Sequence, residues 1–380
     1  MSPSRIVAFD VLKRVESGGY ASDLLIDLSA ALESRDAGLA SEIVFGVLRY
    51  LGQLDYLIRM LSGRAPARLD PEVRIALRMG IYQLRYLQRI PSHAAVGESV
   101  ELVKRARKKS ASGLVNAVLR KVTREQIEWP DRAVALSTPE WLLERWERHF
   151  GADIAEKIAR AFLEQPETYV RVPGDPPAGL SLEGTDIAGC YRLVSGPSAD
   201  LRIQDIGSQS IVPLLDLRPG QTFLDLCSAP GNKTAQALES GVEAVACDLH
   251  WRRLATVPAS CRRVVLDGTA PLPFARRFDR ILIDAPCSGT GTLGRNPEIK
   301  WRISPADLTE LHAKQVRLLR NTFGALAPQG KLVYSTCSLE REENEEVVEE
   351  VLGHSPVVSA RRLPGLDPGD GFYAAVLGSE

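Results

Sequence analysis

The hydrophobic pattern of this chain changes period once, and that change limits the folds open to it. Over residues 1–128 apolar side chains recur at i, i+3, i+4 and i+7, as in Ala8, Val11, Leu12 and Val15 and again in Val115, Val118, Leu119 and Val122. Strand signals are almost absent there, so the stretch predicts an all-α bundle, interrupted at Gly18-Gly19, Gly63 and Pro91. From about residue 206 the pattern becomes one of short apolar runs separated by helical segments. Thr222–Cys227, Glu243–Asp248, Arg263–Asp267, Phe278–Asp284 and Lys331–Thr336 are five strand candidates, and a long helix opening at Ser304-Pro305 carries Leu308, Leu311, Leu319, Phe323 and Leu326 on one face. Apolar runs without alternation suit parallel strands buried on both sides, which predicts a doubly wound α/β sheet over residues 206–380.

Residues 129–205 fit neither pattern. Pro139 can open a helix with Leu143, Trp146 and Phe150 at helical spacing, and Ile154, Ile158, Ala161 and Phe162 form a second stripe. Prolines and glycines then surround Tyr169-Val-Arg-Val and Tyr191-Arg-Leu-Val, which predicts a small α+β connector. Three segments agree with a length of 380 residues, more than one hydrophobic core usually supports.

Composition removes several classes of function. No apolar stretch approaches the ~18 residues of a membrane span, and Met1–Asp10 lacks the apolar core of a signal peptide, so the expected location is the cytoplasm. The six cysteines contain no C-x-x-C pair and the five histidines no H-x-x-x-H pair, which argues against a disulfide framework and against a metal. The net charge of −1 conceals an asymmetry. Residues 1–130 hold 20 Lys/Arg against 14 Asp/Glu, and the remainder 27 against 34. The sharpest basic run, Lys104–Lys109, is followed by Arg120, Lys121 and Arg124; it reads either as a solvated face or as a phosphate-contacting patch.

Chemistry concentrates where the strand candidates end. Asp225, Asp248, Asp267 and Asp284 close four of them, and an acidic side chain at the end of a second strand is where a doubly wound fold meets ribose hydroxyls. Between the first strand and its helix lie Cys227, Ser228, Ala229, Pro230, Gly231, Asn232 and Lys233, small residues that let backbone approach a ligand. Lys233-Thr234 resembles the end of a P-loop. That motif, however, needs glycine immediately before the lysine and another five residues before that glycine, where this chain has Asn232 and Cys227. The expected ligand contains a nucleoside. Cys287 and Cys337 also sit where apolar runs stop, facing the crevice in which such sheets bind ligands.

These strings carry a resemblance. Leu224–Thr234 and Asp284-Ala-Pro-Cys-Ser-Gly-Thr-Gly resemble motifs I and IV of the Nol1/Nop2/Sun family of S-adenosylmethionine-dependent RNA cytosine-5 methyltransferases. Gln204–Gln209, Arg295–Trp301, Ser335–Ser338 with Glu342-Glu-Asn-Glu, and Asp370-Gly-Phe-Tyr-Ala match further family elements. Ile43–Tyr50, Leu77–Leu84, Ile90–Val96 and Val115–Arg120 are similar to NusB-type RNA-binding domains. The resemblance implies a multidomain protein: an all-α NusB-like bundle (1–128), the α+β connector (129–205) and a Rossmann-like methyltransferase domain (206–380). It implies S-adenosylmethionine as cofactor and 16S ribosomal RNA, or an early small-subunit particle, as partner of a monomer that needs neither membrane nor metal. Other RNAs, such as tRNA or 23S rRNA, and a catalytically inert RNA-binding or assembly factor are the alternatives.

The same resemblance assigns roles. Cys337 attacks C6 of cytosine, Cys287 assists release, and Asp284 meets the N3 side of the base with Lys233 in its network. Residues 227–233, Asp248, Asp267 and Asp284 hold the cofactor. DNA cytosine-5 methyltransferases assign the opposite role to a Pro-Cys thiol, so the order of the two cysteines is itself testable. The chain departs from the family at Asn232, where glycine is usual, and asparagine is expected to tolerate a positive φ there. Lys300 and Trp301 are expected to shape the site or face RNA, and Glu340–Glu350 to form a solvated helix face.

Overall fold

A computed structural model describes residues 1–196, 201–356 and 358–378. The chain divides into two compact units, Met1–Glu164 with Gly294–Arg302, and Gln165–Leu293 with Ile303–Glu380. Among the described residues no helix is long and apolar enough to cross a membrane.

The first unit is helical: α1 (Pro3–Glu16), α2 (Ala21–Ser29), α3 (Ser34–Arg49), α4 (Leu51–Ser62), α5 (Pro71–Tyr86), α6 (Ser92–Arg105), α7 (Ser112–Leu119), α8 (Arg132–Ala135), α9 (Glu140–Phe150) and α10 (Ala152–Ala161). Helix α5 is buried on nearly every side through Val73, Ile75, Ala76, Leu77, Met79 and Ile81, with its buried Arg78 paired to Glu16 and Asp55. Gly46 on α3 gives Tyr82 its place, because a Cβ there would meet the ring at 1.9 Å. The predicted stripes of α1 and α7 are buried in this core.

The segment 294–302 belongs to this unit and donates hydrogen bonds to carbonyls at and just beyond two helix ends. Trp301 Nε1 donates to Leu48 O (2.9 Å) and Lys300 Nζ to Arg49 O (3.0 Å), at the end of α3; Arg302 donates to Val15 O and Gly19 O, at the end of α1. The expected RNA-facing or site-shaping role of Lys300 and Trp301 is therefore corrected to packing and capping, with Lys300 1% exposed. The basic run is largely engaged as well. Lys104 pairs with Glu101, Arg105 with Asp10 and Lys108 with Asp70, while Arg124 caps Leu84 and Leu87.

The second unit opens with a four-stranded antiparallel sheet, β1 (Tyr169–Arg171), β2 (Ser181–Gly184), β3 (Cys190–Ser195) and β4 (Arg202–Ile203), in the order β2-β3-β1-β4. The stretch expected as a single connector is thus shared, its helices grouping with the first unit and its strands with the second. After α11 (Ile206–Gln209) come β5 (Thr222–Asp225), α12 (Asn232–Leu238), β6 (Glu243–Asp248), α13 (Trp251–Leu254), β7 (Arg262–Val265), β8 (Phe278–Asp284), α14 (Pro305–Phe323), β9 (Leu326–Thr336), α15 (Glu345–Leu352), β10 (Val358–Arg362) and β11 (Phe372–Gly378). The sheet order is β10-β11-β9-β8-β5-β6-β7, parallel from β9 to β7, with β11 antiparallel to both its neighbours.

Strand residues alternate between two buried faces. Leu224, Ile281, Ile283, Leu332 and Tyr334 pack with Val316 and Leu319 of α14; Phe223, Leu282 and Val333 pack with Ile211, Val212 and Ala237. Helix α14 ends at Phe323, so Leu326, counted with its stripe in the sequence, instead begins β9. The chain runs from β5 outward through β6 and β7, then returns to place β8 on the other side of β5. A ligand crevice belongs at that reversal, outside the carboxyl ends of β5 and β8.

Candidate functional site

Parallel pairing brings the two thiols together. Asp284 at the end of β8 lies opposite Ser335 of β9, so the turn after β8 carries Cys287 beside the turn after β9, which begins at Cys337. Their sulfurs stand 3.4 Å apart. Gly291 N donates to Cys337 O (2.9 Å) and Gly371 N to Gly291 O (2.8 Å). A Cβ on Gly291 would lie 2.4 Å from Gly371 O, so only glycine allows this approach of three chain segments.

A cavity of about 260 Å³ opens in front of the thiols. Of the residues expected at the site, Cys227, Ala229, Asp248, Asp267, Asp284, Cys287 and Cys337 line it. A smaller recess of about 80 Å³ shares Cys227, Ala229 and Asp284 and adds Ser228, Pro230, Asn232, Lys233, Asp225 and Ser208. Gly231 lines neither; with φ +106° it makes the turn into α12, and a Cβ on it would meet Val257 Cα at 2.8 Å. Asn232, expected to tolerate a positive φ, is not called on to do so. Gly231 takes the strained position and Asn232 is the first residue of α12.

Electrostatics divide the carboxylates. Lys233 Nζ lies 2.6 Å from Asp284 Oδ2, Ser335 Oγ donates to Asp284 Oδ1 (3.0 Å), and the Lys233 ammonium also faces the Phe372 ring. Asp225 is different: burial pushes its carboxyl up to about 7 against the hydrogen bond from Thr234 Oγ1 (2.6 Å), and its Oδ1 is buried with no protein partner. Asp248 accepts from His250 N (3.0 Å), and Asp267 binds the backbone and hydroxyl of Thr269, which together hold its carboxyl below the usual range.

Two thiols of the site are shifted as well. The hydrogen bond with Cys337, followed by burial, pushes the Cys287 thiol well above its ordinary range, and burial pushes up Cys227. Either sulfur of the Cys287–Cys337 pair can donate its S–H to the other. The neighbourhood of the pair depends on a residue that sequence reasoning placed on a solvated face. Glu343 is fully buried beneath both turns, as is Glu340 elsewhere in that run, which corrects the expectation for Glu340–Glu350. Leu249, His250, Arg253, Leu266, Lys314 and Leu318 also line the larger cavity and carried no signal in the sequence beyond their nearness to Asp248 or their place on α14.

The arrangement has relatives. A family model described as 16S rRNA methyltransferase RsmB/F matches residues 212–371, and one described as NusB family matches residues 2–124. Ribosomal RNA small subunit methyltransferase B of Erwinia tasmaniensis is 33% identical, over 98% of this chain and 97% of its own length. The chain belongs to the RsmB family of rRNA methyltransferases. A probable member from Bacillus subtilis is likewise 33% identical, over 93% of this chain and 88% of its own. The crystal structure of PH0851 superposes with a TM-score of 0.82 at 22% identity, covering 99% of this chain and 98% of that one. NSun6 from Pyrococcus horikoshii, solved with SFG, an S-adenosylmethionine analogue, gives 0.56 at 18% identity, covering 63% and 98%. These two likenesses concern the fold.

RsmB-family membership makes the chain an S-adenosylmethionine-dependent RNA methyltransferase, and the residues present fit that cofactor. Asp225 Oδ1 beside the recess is a buried acceptor with no protein partner, Asp248 puts an acidic strand end on the cavity wall, and cavity and recess together reach the low end of the ~300–1,000 Å³ common for ligand pockets. Among the described residues no group of three or more His, Cys, Asp or Glu could hold a metal ion.

Proposed function

We propose that this protein methylates C5 of a cytidine in 16S ribosomal RNA through a covalent bond between Cys337 and C6. The observation that carries the reading is the pair of sulfurs 3.4 Å apart on neighbouring parallel strand ends, in one cavity with Asp248, Asp267 and Asp284. Cytosine C5 is a weak nucleophile, and addition of a thiolate at C6 pushes ring electrons toward C5. S-adenosylmethionine supplies the methyl group as a sulfonium. Once C5 has taken the methyl, a base (water, or the Cys287 sulfur as thiolate) takes the C5 proton, the C5–H electron pair re-forms the C5=C6 double bond, and the C6–sulfur bond breaks, returning Cys337 as a thiolate. The reading gives attack to Cys337 and assistance in release to Cys287, whose sulfur lies within reach of the leaving Cys337 thiolate.

Asp284, paired with Lys233, is assigned to the base, which it can hydrogen-bond as electrons enter the ring. Residues 227–233, Asp248 and Asp267 are assigned to the cofactor. The target cytidine must be unpaired or flipped out to present C6 to a thiol. Residues 1–128 are assigned to docking the RNA, and the protein is expected to act as a cytoplasmic monomer.

Separate substitutions test the division of labour. Cys337→Ala is expected to abolish methylation, and Cys287→Ala to trap a protein–RNA adduct that survives denaturing electrophoresis. An adduct formed by Cys337→Ala instead would overturn the assignment. Bisulfite sequencing of ribosomal RNA from a strain lacking the protein is expected to show one 16S cytidine losing its mark; loss in tRNA or 23S rRNA would move the substrate, and no loss anywhere would favour an inert RNA-binding role.

A further inference from the structure

Glu343 carries an arrangement that the reaction as described does not use. Its carboxylate accepts from Ser288 N (2.8 Å), Ser288 Oγ, Ser338 Oγ (2.5 Å) and Gln315 Nε2 (3.0 Å). Ser288 follows Cys287 and Ser338 follows Cys337, so one side chain holds the residue after each thiol. The next residue repeats the pattern: Asn344 accepts from Thr336 Oγ1 (2.5 Å), which precedes Cys337, and donates to Ser338 O (3.0 Å). The Glu343 backbone is fixed in turn by Tyr334 Oη, which donates to its carbonyl at 2.6 Å.

Burying a carboxylate is costly unless hydrogen bonds replace its water, and bonds to a charged acceptor are about twice as strong as neutral ones. Four donors converge here from β8's turn, β9's turn and α14. Glu343 lines neither the cavity nor the recess, so it does not reach a ligand. We infer that Glu343 is a positioning residue, whose carboxylate clamps the Cys287 and Cys337 turns together and so sets the spacing and aim of the two sulfurs. The inference rests on the reading that both thiols serve the reaction, but its structural half can be judged without RNA.

The test uses the full chain carrying Glu343→Gln and Glu343→Ala. Glutamine keeps the shape and loses the charge; alanine leaves Ser288 N–H buried without its partner. S-adenosylmethionine affinity, measured by calorimetry, is expected to stay within about twofold of wild type and verifies the fold. Methylation turnover is expected to fall about 100-fold in the alanine variant and about tenfold in the glutamine variant, as misplacement by about 1 Å can cost that much.

The independent readout is disulfide formation with diamide. Two S–H bonds break and one S–S bond forms, the two protons and two electrons passing to the N=N bond of the reagent, and the 287–337 pair is identified by peptide mass spectrometry. Wild type is expected to close this disulfide quickly and both variants at least about tenfold more slowly, because the effective concentration of one thiol at the other falls when the turns are freed. Support requires both losses. Wild-type disulfide rates, or wild-type turnover with slowed oxidation, would each overturn the inference. If the alanine variant fails to bind cofactor, the glutamine variant decides. If wild type itself does not methylate RNA, the functional reading fails while the oxidation rates still judge the clamp.

Discussion

Lys300 shows how much one buried charge can weigh. Burial pushes its ammonium down to about 7, with the Arg49 guanidinium adding to the effect, and no acidic side chain is paired with it among the described residues; it donates to Arg49 O and faces the Trp301 ring at 5.3 Å. In the unfolded chain a lysine titrates near ~10.4. Between those values the unfolded state keeps a proton that the folded state has lost, so stability falls as pH drops from about 10 to about 7 and levels below. At ~1.4 kcal/mol per pH unit the effect is on the order of 4 kcal/mol, partly relieved by relaxation. Lys300→Met keeps the volume and removes the charge. It is expected to flatten the slope between pH 7 and 9.5 and to raise stability at pH 7 by about 1–3 kcal/mol after the lost hydrogen bond is counted. Urea unfolding at the two pH values checks both. Sequence alone could not reach this residue: a lysine in Glu-Ile-Lys-Trp has the composition of a surface loop, and only the seating of 294–302 among helix ends shows otherwise.

Elements were legible where burial is symmetrical. Strands β5, β6, β8 and β9 announce themselves because both of their faces are covered, which leaves unbroken apolar runs. The hairpin β10–β11 did not. Val358-Ser-Ala-Arg-Arg is an edge strand with an exposed first half, and Phe372-Tyr-Ala-Ala owes its burial to small residues between two neighbours rather than to β-branched ones. The brevity of α13 was foreseeable from the short stretch between Asp248 and Asp267. The thiols were legible as strand ends, but fifty residues of separation become 3.4 Å only through the β8–β9 register. Glu343 was hidden because an acidic run has no internal phase until a turn buries two of its members. The start of α14 was readable at Ser304-Pro305: Ser304 is its N-cap, and the structure adds Asp307, whose Oδ2 accepts from Ser304 N (2.8 Å) and Ser304 Oγ (2.7 Å). Ser304→Ala is expected to cost about 1 kcal/mol in chemical denaturation, with cofactor affinity unchanged, since Ser304 lines neither cavity nor recess.

At the scale of the whole molecule, the cavity couples cofactor to stability. Its walls come from the turns after β5, β6, β7, β8 and β9, joined by Lys314 and Leu318 of α14. Local hydrogen bonds shape the turns after β6 and β7, at Asp248 and Asp267, but only the sheet brings all five turns to one place. A ligand that binds this assembled form and not the unfolded chain stabilises it by RT ln(1 + [L]/Kd), or about 2.7 kcal/mol at a hundredfold excess over Kd. S-adenosylmethionine is therefore expected to raise the unfolding midpoint in proportion to the logarithm of its concentration. Asp248→Ala is expected to abolish most of the increment, because it removes the acidic strand end assigned to the ribose. Cys337→Ala is expected to keep most of it while losing methylation, since its sulfur is assigned to the base and not to the cofactor. Thermal melts of the three proteins across a cofactor titration check the assignment. A full increment in Asp248→Ala would show that the cofactor lies elsewhere, and its loss in Cys337→Ala would place the thiol among the groups that bind rather than react.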